Sequence, residues 1–433
     1  MTISQSMAAG ALLAICLGGP VSAQATSVRA AGSVTLVTAH DGQDFQRYRN
    51  SAGIALQASL DVAHGDFSSR IAIDRTAIGD IGAHASAVAV KDAWIRYSTG
   101  PADLTIGRQF LPEGRSDRIR PLDQFAPRDL TRIAAIDARQ RIALPAARLD
   151  YALDDRLTVS IAYVRQDQGY VLPVAIATSL PPGRTLRNAP VDGGLLELQY
   201  RGEGRELGVS FTHGASPLPA VTIAPLLPDQ LHALIQRLLA RPIDVAALLR
   251  DLTLRQTVIG QTRVAIGGSY TVGRGVVRFD LAGIASDDPL PGVERRGLFG
   301  SIGYDVGLWT DANASVQLIA RHSSRASHSW RYSVPKALAP LAQINAALQQ
   351  TSRDTQAWMT ANLRQSFRNE HDIEGGVLAS MAGEYAGYVV STWRPIDHWR
   401  LAVQAQGGGG PRDSLIDGAL PNFRLFTEVQ FSF

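Results

Sequence analysis

The feature that most constrains this chain is the alternation at its end, Phe423 to Phe433. Phe423, Leu425, Val429, Phe431 and Phe433 share one parity, with Thr427 its only polar member; Arg424, Glu428, Gln430 and Ser432 share the other, with Phe426 the exception. Side chains of a strand point alternately to opposite faces, so this is a strand with one apolar and one polar face. An aromatic residue, Phe433, closes it.

The same period recurs along the chain. Ile54, Leu56, Ala58, Leu60 and Val62 alternate with Gln57, Ser59 and Asp61; Val277, Phe279 and Leu281 with Arg278 and Asp280; Ala357, Met359, Ala361 and Leu363 with Thr360, Asn362 and Arg364. The spacing predicts strands over 32–40, 53–63, 67–75, 87–97, 103–110, 142–151, 156–165, 194–202, 206–213, 262–272, 275–284, 297–305, 313–322, 357–366, 371–380, 385–394, 398–406 and 423–433. Parity is broken or glycine-rich in 32–40, 87–97 and 297–305.

Alternation alone fits a soluble sandwich as well as a barrel, and the connections separate the two. Tight turns at Thr99–Pro101, Asp154–Asp155, Gly202–Gly204, Gly273–Gly275, Arg368–Glu370 and Pro395–Asp397 alternate with long stretches at 111–141, 166–192, 214–260, 324–356 and 407–422. Short turns on one side and long loops on the other describe an all-β transmembrane antiparallel barrel, the turns periplasmic and the loops extracellular. An even strand count closes it with both ends on one side: about eighteen, with sixteen the nearest alternative. Tyr97, Tyr151, Tyr200, Tyr270, Tyr304, Trp393 and Trp399 sit beside the short turns, where an interfacial aromatic girdle belongs. The loop 214–260 is expected to be partly helical: Leu231, Leu234, Ile235, Leu238 and Leu239 fall at helical spacing within 228–250. Residues 337–350 form a shorter, Ala-rich case.

The other end carries an address. Met7 to Gly19 is a short apolar run followed by the small-residue triplets Val21-Ser22-Ala23 and Ala23-Gln24-Ala25, which predicts a signal peptide over 1–25, cleaved to leave a barrel over 26–433. The first six residues hold no Lys or Arg. Cys16 is the only cysteine and falls inside the leader, which removes disulfides, thiolate metal sites and cysteine nucleophiles. Export without a spanning helix, joined to the terminal strand, places the expected location in the bacterial outer membrane. The expected surroundings are outer-membrane lipid and lipopolysaccharide, with the barrel assembly machinery engaged through Phe433.

Enzyme signatures are missing. Neither lysine, Lys91 nor Lys336, follows a glycine, so there is no phosphate-binding loop, and no Ser lies in a G-x-S-x-G turn. His322 and His328 stand six apart, which fits no metal-ligand spacing. The expectation is a non-enzyme without cofactor, metal or nucleic-acid partner. A Ser/His hydrolase assembled from separate strands escapes any motif search.

The informative segment runs from a strand into the loop 111–141. Residues 108 to 141 hold eight arginines against five acids. Folded into a lumen, such fixed guanidinium and carboxylate groups narrow a pore and set its field, and arginine's planar fork suits carboxylate or phosphate. The candidate constriction groups are Arg108, Arg115, Arg118, Arg120 and Arg128, oriented by Asp117, Asp123 and Asp129. The same residues could instead stiffen an extracellular loop. Arg108 poses a separate question: parity from Leu104 and Ile106 aims it at lipid, so it sits at the head-group edge or a bulge at Gly107 turns it inward.

The stretch DLTIGRQFLPEGRSDRIRPLDQFAPRDLT resembles the strand-loop signature of a proteobacterial porin family related to alginate-export porins. Matching positions are Gly107, Arg108, Gln109, Gly114, Arg115, Asp117, Pro121, Asp123, Pro127, Arg128 and Asp129; Glu113, Ser116 and Leu122 depart from it. The resemblance implies an eighteen-stranded barrel with an arginine-lined, anion-favouring lumen. Three functions follow as expectations: passive passage of small polar or anionic solutes, export of an exopolysaccharide, or lipid hydrolysis at the outer membrane. A fourth possibility is a structural or adhesive barrel with a plugged lumen.

Overall fold

The computed structural model describes residues 26–44, 47–78, 88–111, 125–127, 141–167, 190–216, 220–223, 254–257, 259–287, 293–324, 354–368, 370–410 and 423–433. Eighteen strands form one antiparallel sheet closed on itself. They are β1 (Thr26–Asp44), β2 (Arg47–His64), β3 (Phe67–Ile78), β4 (Val88–Thr99), β5 (Ala102–Gln109), β6 (Leu144–Ala152), β7 (Leu157–Gln166), β8 (Val191–Gly202) and β9 (Arg205–Ala215), then β12 (Gly260–Val272), β13 (Gly275–Ser286), β14 (Arg296–Trp309), β15 (Ala312–Ser324), β16 (Thr355–Phe367), β17 (His371–Ser380), β18 (Tyr385–Trp393), β19 (Trp399–Gly409) and β20 (Phe423–Ser432). Each pairs with its neighbour in sequence, β9 with β12. β20 returns to β1, Ser432 opposite Ser33 and Phe423 opposite Gly42. Every predicted segment falls on one of these strands.

Closure is completed by backbone bonds of 2.9 Å in both directions between Gly32 and Phe433. The Phe433 ring lies over the missing side chain of Gly32, with Cε2 2.6 Å from where a Cβ would stand. A sheet closed this way leaves no edge with unpaired backbone groups, as hydrocarbon requires.

The irregular segments have local causes. In β4 the register to β3 slips, with Ala72 opposite Asp92 but Ile73 opposite Val90, so Lys91 is an extra residue that breaks the parity of 87–97. In β14 a second irregularity lies between Gly307 and Trp309 and returns Trp309 to the outer face, where its indole donates to Gln365 at 2.6 Å. The loop 214–260 contains a feature its sequence did not announce: β10 (Ala220–Ile223) and β11 (Leu254–Thr257) pair as a separate two-stranded sheet at its base. The expected helices at 228–250 and 337–350, and the leader 1–25, lie outside the described residues.

One face of the cylinder carries an apolar belt. Ile54, Leu104, Ile161, Leu196, Phe211, Leu281, Ile302, Leu318, Val377 and Val403 all project outward and are exposed. A belt of this extent around a whole circumference does not occur in water and is matched to lipid. Along β15 it runs from Ala312 to His322; at about 3.3 Å per residue and a tilt of about 40°, that is roughly 25 Å of height, the thickness expected of the apolar band. The aromatics predicted beside the short turns do face outward there: Tyr97 stacks on Phe67 with centroids 4.6 Å apart, and Trp399 meets Phe431 at 5.1 Å.

Candidate functional site

The opposite face encloses the lumen, and it is charged. Arg70 of β3 reaches Asp61 of β2 at 3.3 Å and Asp92 of β4 at 3.2 Å. Arg148 holds Asp150 at 2.9 Å, Arg278 holds Asp305 at 2.6 Å, and Arg400 meets Glu428 at 3.3 Å. Arg364 and Arg394 share Asp372 at 3.4 and 2.8 Å. All these residues lie on strands or turns whose parity faces inward, and they span the wall from the short-turn end upward. In contact with water such pairs contribute about 0–1 kcal/mol each, so their effect is mainly on the field of the lumen. In each of these pairs a guanidinium is met by a carboxylate on the wall, which compensates its charge in place, whereas Arg96 donates to the Thr105 hydroxyl at 3.1 Å.

One pair differs. Glu294, from the chain between β13 and β14, is only 1 % exposed and binds Arg321; Ser323 Oγ donates to it at 2.8 Å. Val293 beside it packs with Ile259 and Ala220. The connections on this side therefore fold down onto the inner wall at the long-loop end. Loss of either charged partner would leave the other buried and uncompensated, at a cost of about 3–5 kcal/mol.

Part of the connection between β5 and β6, Phe125–Pro127, also lies inside the barrel. Phe125 is fully buried and clusters with Leu111, Leu144, Ala146, Ala162, Val164 and Leu195. The strand members of that cluster face inward by parity, so the ring lies inside. Two inward glycines make its seat. A Cβ on Gly193 would come within 3.0 Å of Phe125 Cε1, and one on Gly214 within 2.7 Å. Gln166 backs the seat, its amide donating to the Ala215 carbonyl at 3.0 Å. Pro127 accepts from the Ile142 amide at 2.9 Å, which ties the inward segment to the start of β6. Phe125–Pro127, the described residues of the loop 111–141 besides Leu111 and Arg141, lie on the inner side of the wall.

Arg115, Asp117, Arg118, Arg120, Asp123, Arg128 and Asp129 lie outside the described residues, although Asp123 and Arg128 flank the seated segment within two residues in sequence. Arg108 is placed, and not at a constriction. It keeps the outward parity of Leu104 and Ile106, bonds the Ala143 carbonyl and forms an ion pair with Asp167 at the end of β7. Gly107 takes φ +134°, yet the turn inward does not occur. The reason is local compensation: Asp167 neutralises the charge at the rim, so no inward turn is needed.

The described histidines of the strands mark the edges of the apolar belt. His64 pairs with Thr26 and His371 with Ser391 near the short turns, His213 with Thr262 and His322 with Thr355 near the long loops, all at 2.8 or 2.9 Å. A lumenal hydrolase needs serine and histidine facing inward, and these four pairs face outward.

Sequence reasoning missed the seat and the Glu294 pair. The only hint of the seat was one aromatic residue inside a charged loop, with glycines at 193 and 214 far along the chain.

No family model matches the chain, and none of the curated proteins matches it. Solved structures of similar fold do exist. OccK2 (OpdF) of Pseudomonas aeruginosa is 9 % identical, with a TM-score of 0.54 over 94 % of this chain and 98 % of that one. OccK3 (OpdO) of the same organism is 10 % identical, with a TM-score of 0.53 over 93 % of this chain and 95 % of that one. OccK11 (OpdR) is 8 % identical, with a TM-score of 0.50 over the same shares of the two chains. The likeness is one of fold.

Proposed function

We propose that the chain is an outer-membrane channel for passive passage of small polar or anionic solutes. The observation that carries this reading is the pairing of an apolar outer belt with a charged inner wall, inside which Phe125–Pro127 are seated. A structural barrel has no need of a wet wall, and a soluble barrel has no need of an apolar belt. On this reading residues 1–25 are the export leader, the short turns face the periplasm, and lipid with lipopolysaccharide surrounds the belt. Phe433, already bonded to the first strand, is the residue offered to the assembly machinery.

Selectivity belongs to the loop. Most wall guanidiniums are met by wall carboxylates, so the surplus of arginine between residues 108 and 141 is the main source of any anion preference. Planar-bilayer recordings in a salt gradient test both parts. The expected result is a pore whose reversal potential favours anions, with Arg115→Ala and Arg128→Ala together moving that potential toward zero. No pore, or a strong cation preference, overturns the reading.

A second reading, export of an anionic polysaccharide, is favoured by charge running along the height of the wall and by the likeness of residues 107–129 to alginate-export porins. Liposome swelling with a size series separates the two: a cut-off at sugar-sized solutes supports the small-solute channel, and flux of oligouronates supports export.

A further inference from the structure

The inner wall is indented at the short-turn end. A recess of about 380 Å³ opens there between β13 and β16, lined by Arg274, Asp305, Asn313, Ser315, Asn362 and Arg364. This volume is within the range of small-ligand sites, roughly 300–1,000 Å³. The indentation has a cause in sequence. Gly307 faces inward opposite Asn313, and a Cβ there would meet nothing nearer than Asn313 Oδ1 at 3.9 Å. One row of register places Val276, Asp305, Ser315 and Asn362 side by side; the next places Gly307, Asn313 and Arg364 side by side. Small and amide side chains thus lie between two guanidiniums.

The lining is polar and mixes charged, amide and hydroxyl groups. As elsewhere on the wall, arginines and carboxylates meet here, but amides and a hydroxyl lie between them. Here the one carboxylate, Asp305, is taken by Arg278 at 2.6 Å. Arg364 shares Asp372 with Arg394, which stands closer to it. Asn362 is held in place by the Tyr388 hydroxyl at 2.9 Å. The groups offered to a solute are therefore the Arg274 guanidinium and the N–H groups of Arg364 that Asp372 does not take, with amide and hydroxyl partners between them. Guanidinium forks match an oxyanion in geometry, and amides with a serine match hydroxyls, as donor and acceptor at once.

We propose that this recess is a resting site for one sugar-sized polyhydroxylated anion at the periplasmic mouth, a proposal that rests on the channel reading. Its acid group lies against Arg364 and Arg274, and its hydroxyls against Asn313, Ser315 and Asn362. A carboxylate and a phosphate share this chemistry, and two probes separate them.

The test is calorimetric titration of gluconate, and separately of glucose 6-phosphate, into the detergent-solubilised barrel at low salt. Saturable binding is expected for at least one, and the tighter of the two identifies the preferred oxyanion. Asn313→Ala and Arg364→Gln are each expected to weaken it about tenfold. Sorbitol, which lacks the charge, is expected not to bind. Should these variants fail to fold, Ser315→Cys in a Cys16→Ser background gives a second readout, with alkylation by a water-soluble maleimide slowed by the bound anion. The proposal is overturned if neither anion binds, if both variants bind as the parent does, if sorbitol binds equally, or if alkylation is not slowed. Chloride current in a bilayer is measured alongside: its absence defeats the channel reading, and its presence without anion binding defeats the recess alone.

Discussion

At the residue scale, Phe125 is the side chain on which most depends, because one ring holds a segment of a long loop against the inner wall. Burying an aromatic ring of this size is worth about 3–5 kcal/mol against its truncation. Phe125→Ala is expected to release the segment, raising single-channel conductance and exposing residues around it to added protease, while Phe125→Leu retains most of the seat. Unchanged conductance and unchanged proteolysis in the alanine variant would mean that the ring does not position the loop. Its role was not legible in the sequence. An aromatic residue in a loop carries no periodicity, and the glycines that receive it are distant in the chain. Arg108 gives the complementary lesson: its parity was readable, but its partner Asp167 came from another strand pair.

At the element scale, the strands were legible because period two is imposed by lipid outside and water inside, which every strand shares. Of the three segments with broken parity or many glycines, 87–97 holds a register shift, the extra residue Lys91; the irregularity of β14 lies just beyond 297–305, between Gly307 and Trp309. β10 and β11 were too short to show alternation. The hairpin of β4 and β5 carries a further constraint. Gly107, opposite Trp94, takes φ +134°, and a Cβ there would strike the Ala93 carbonyl and stand 2.7 Å from Trp94 Cα. Gly107→Ala should therefore cost about 1–3 kcal/mol of strain. The checks are the urea midpoint in detergent and hydrogen exchange of the β4–β5 amides, which should quicken there before elsewhere. A uniform loss across the barrel would contradict a local cause.

At the scale of the whole molecule, two solvents act on one sheet. Leu281, near the middle of β13 and 44 % exposed on the outer belt, faces hydrocarbon. Leu281→Arg is expected to destabilise the barrel in bilayers by about 2–4 kcal/mol, the cost of a guanidinium near the midplane. Reversible unfolding from liposomes measures it, and a change near zero would place that face against water or another protein. The sequence by itself determined the all-β barrel class, a strand number of sixteen to eighteen, the face of most strand side chains and the end of the barrel that carries the long loops. These follow from alternation and spacing along a single chain. Tertiary structure alone decided which arginine meets which carboxylate, where the loop is seated and where the wall is indented. Such contacts depend on the register between strands and on the docking of loops, and a period of two fixes a side chain's face but leaves its height and its neighbours free.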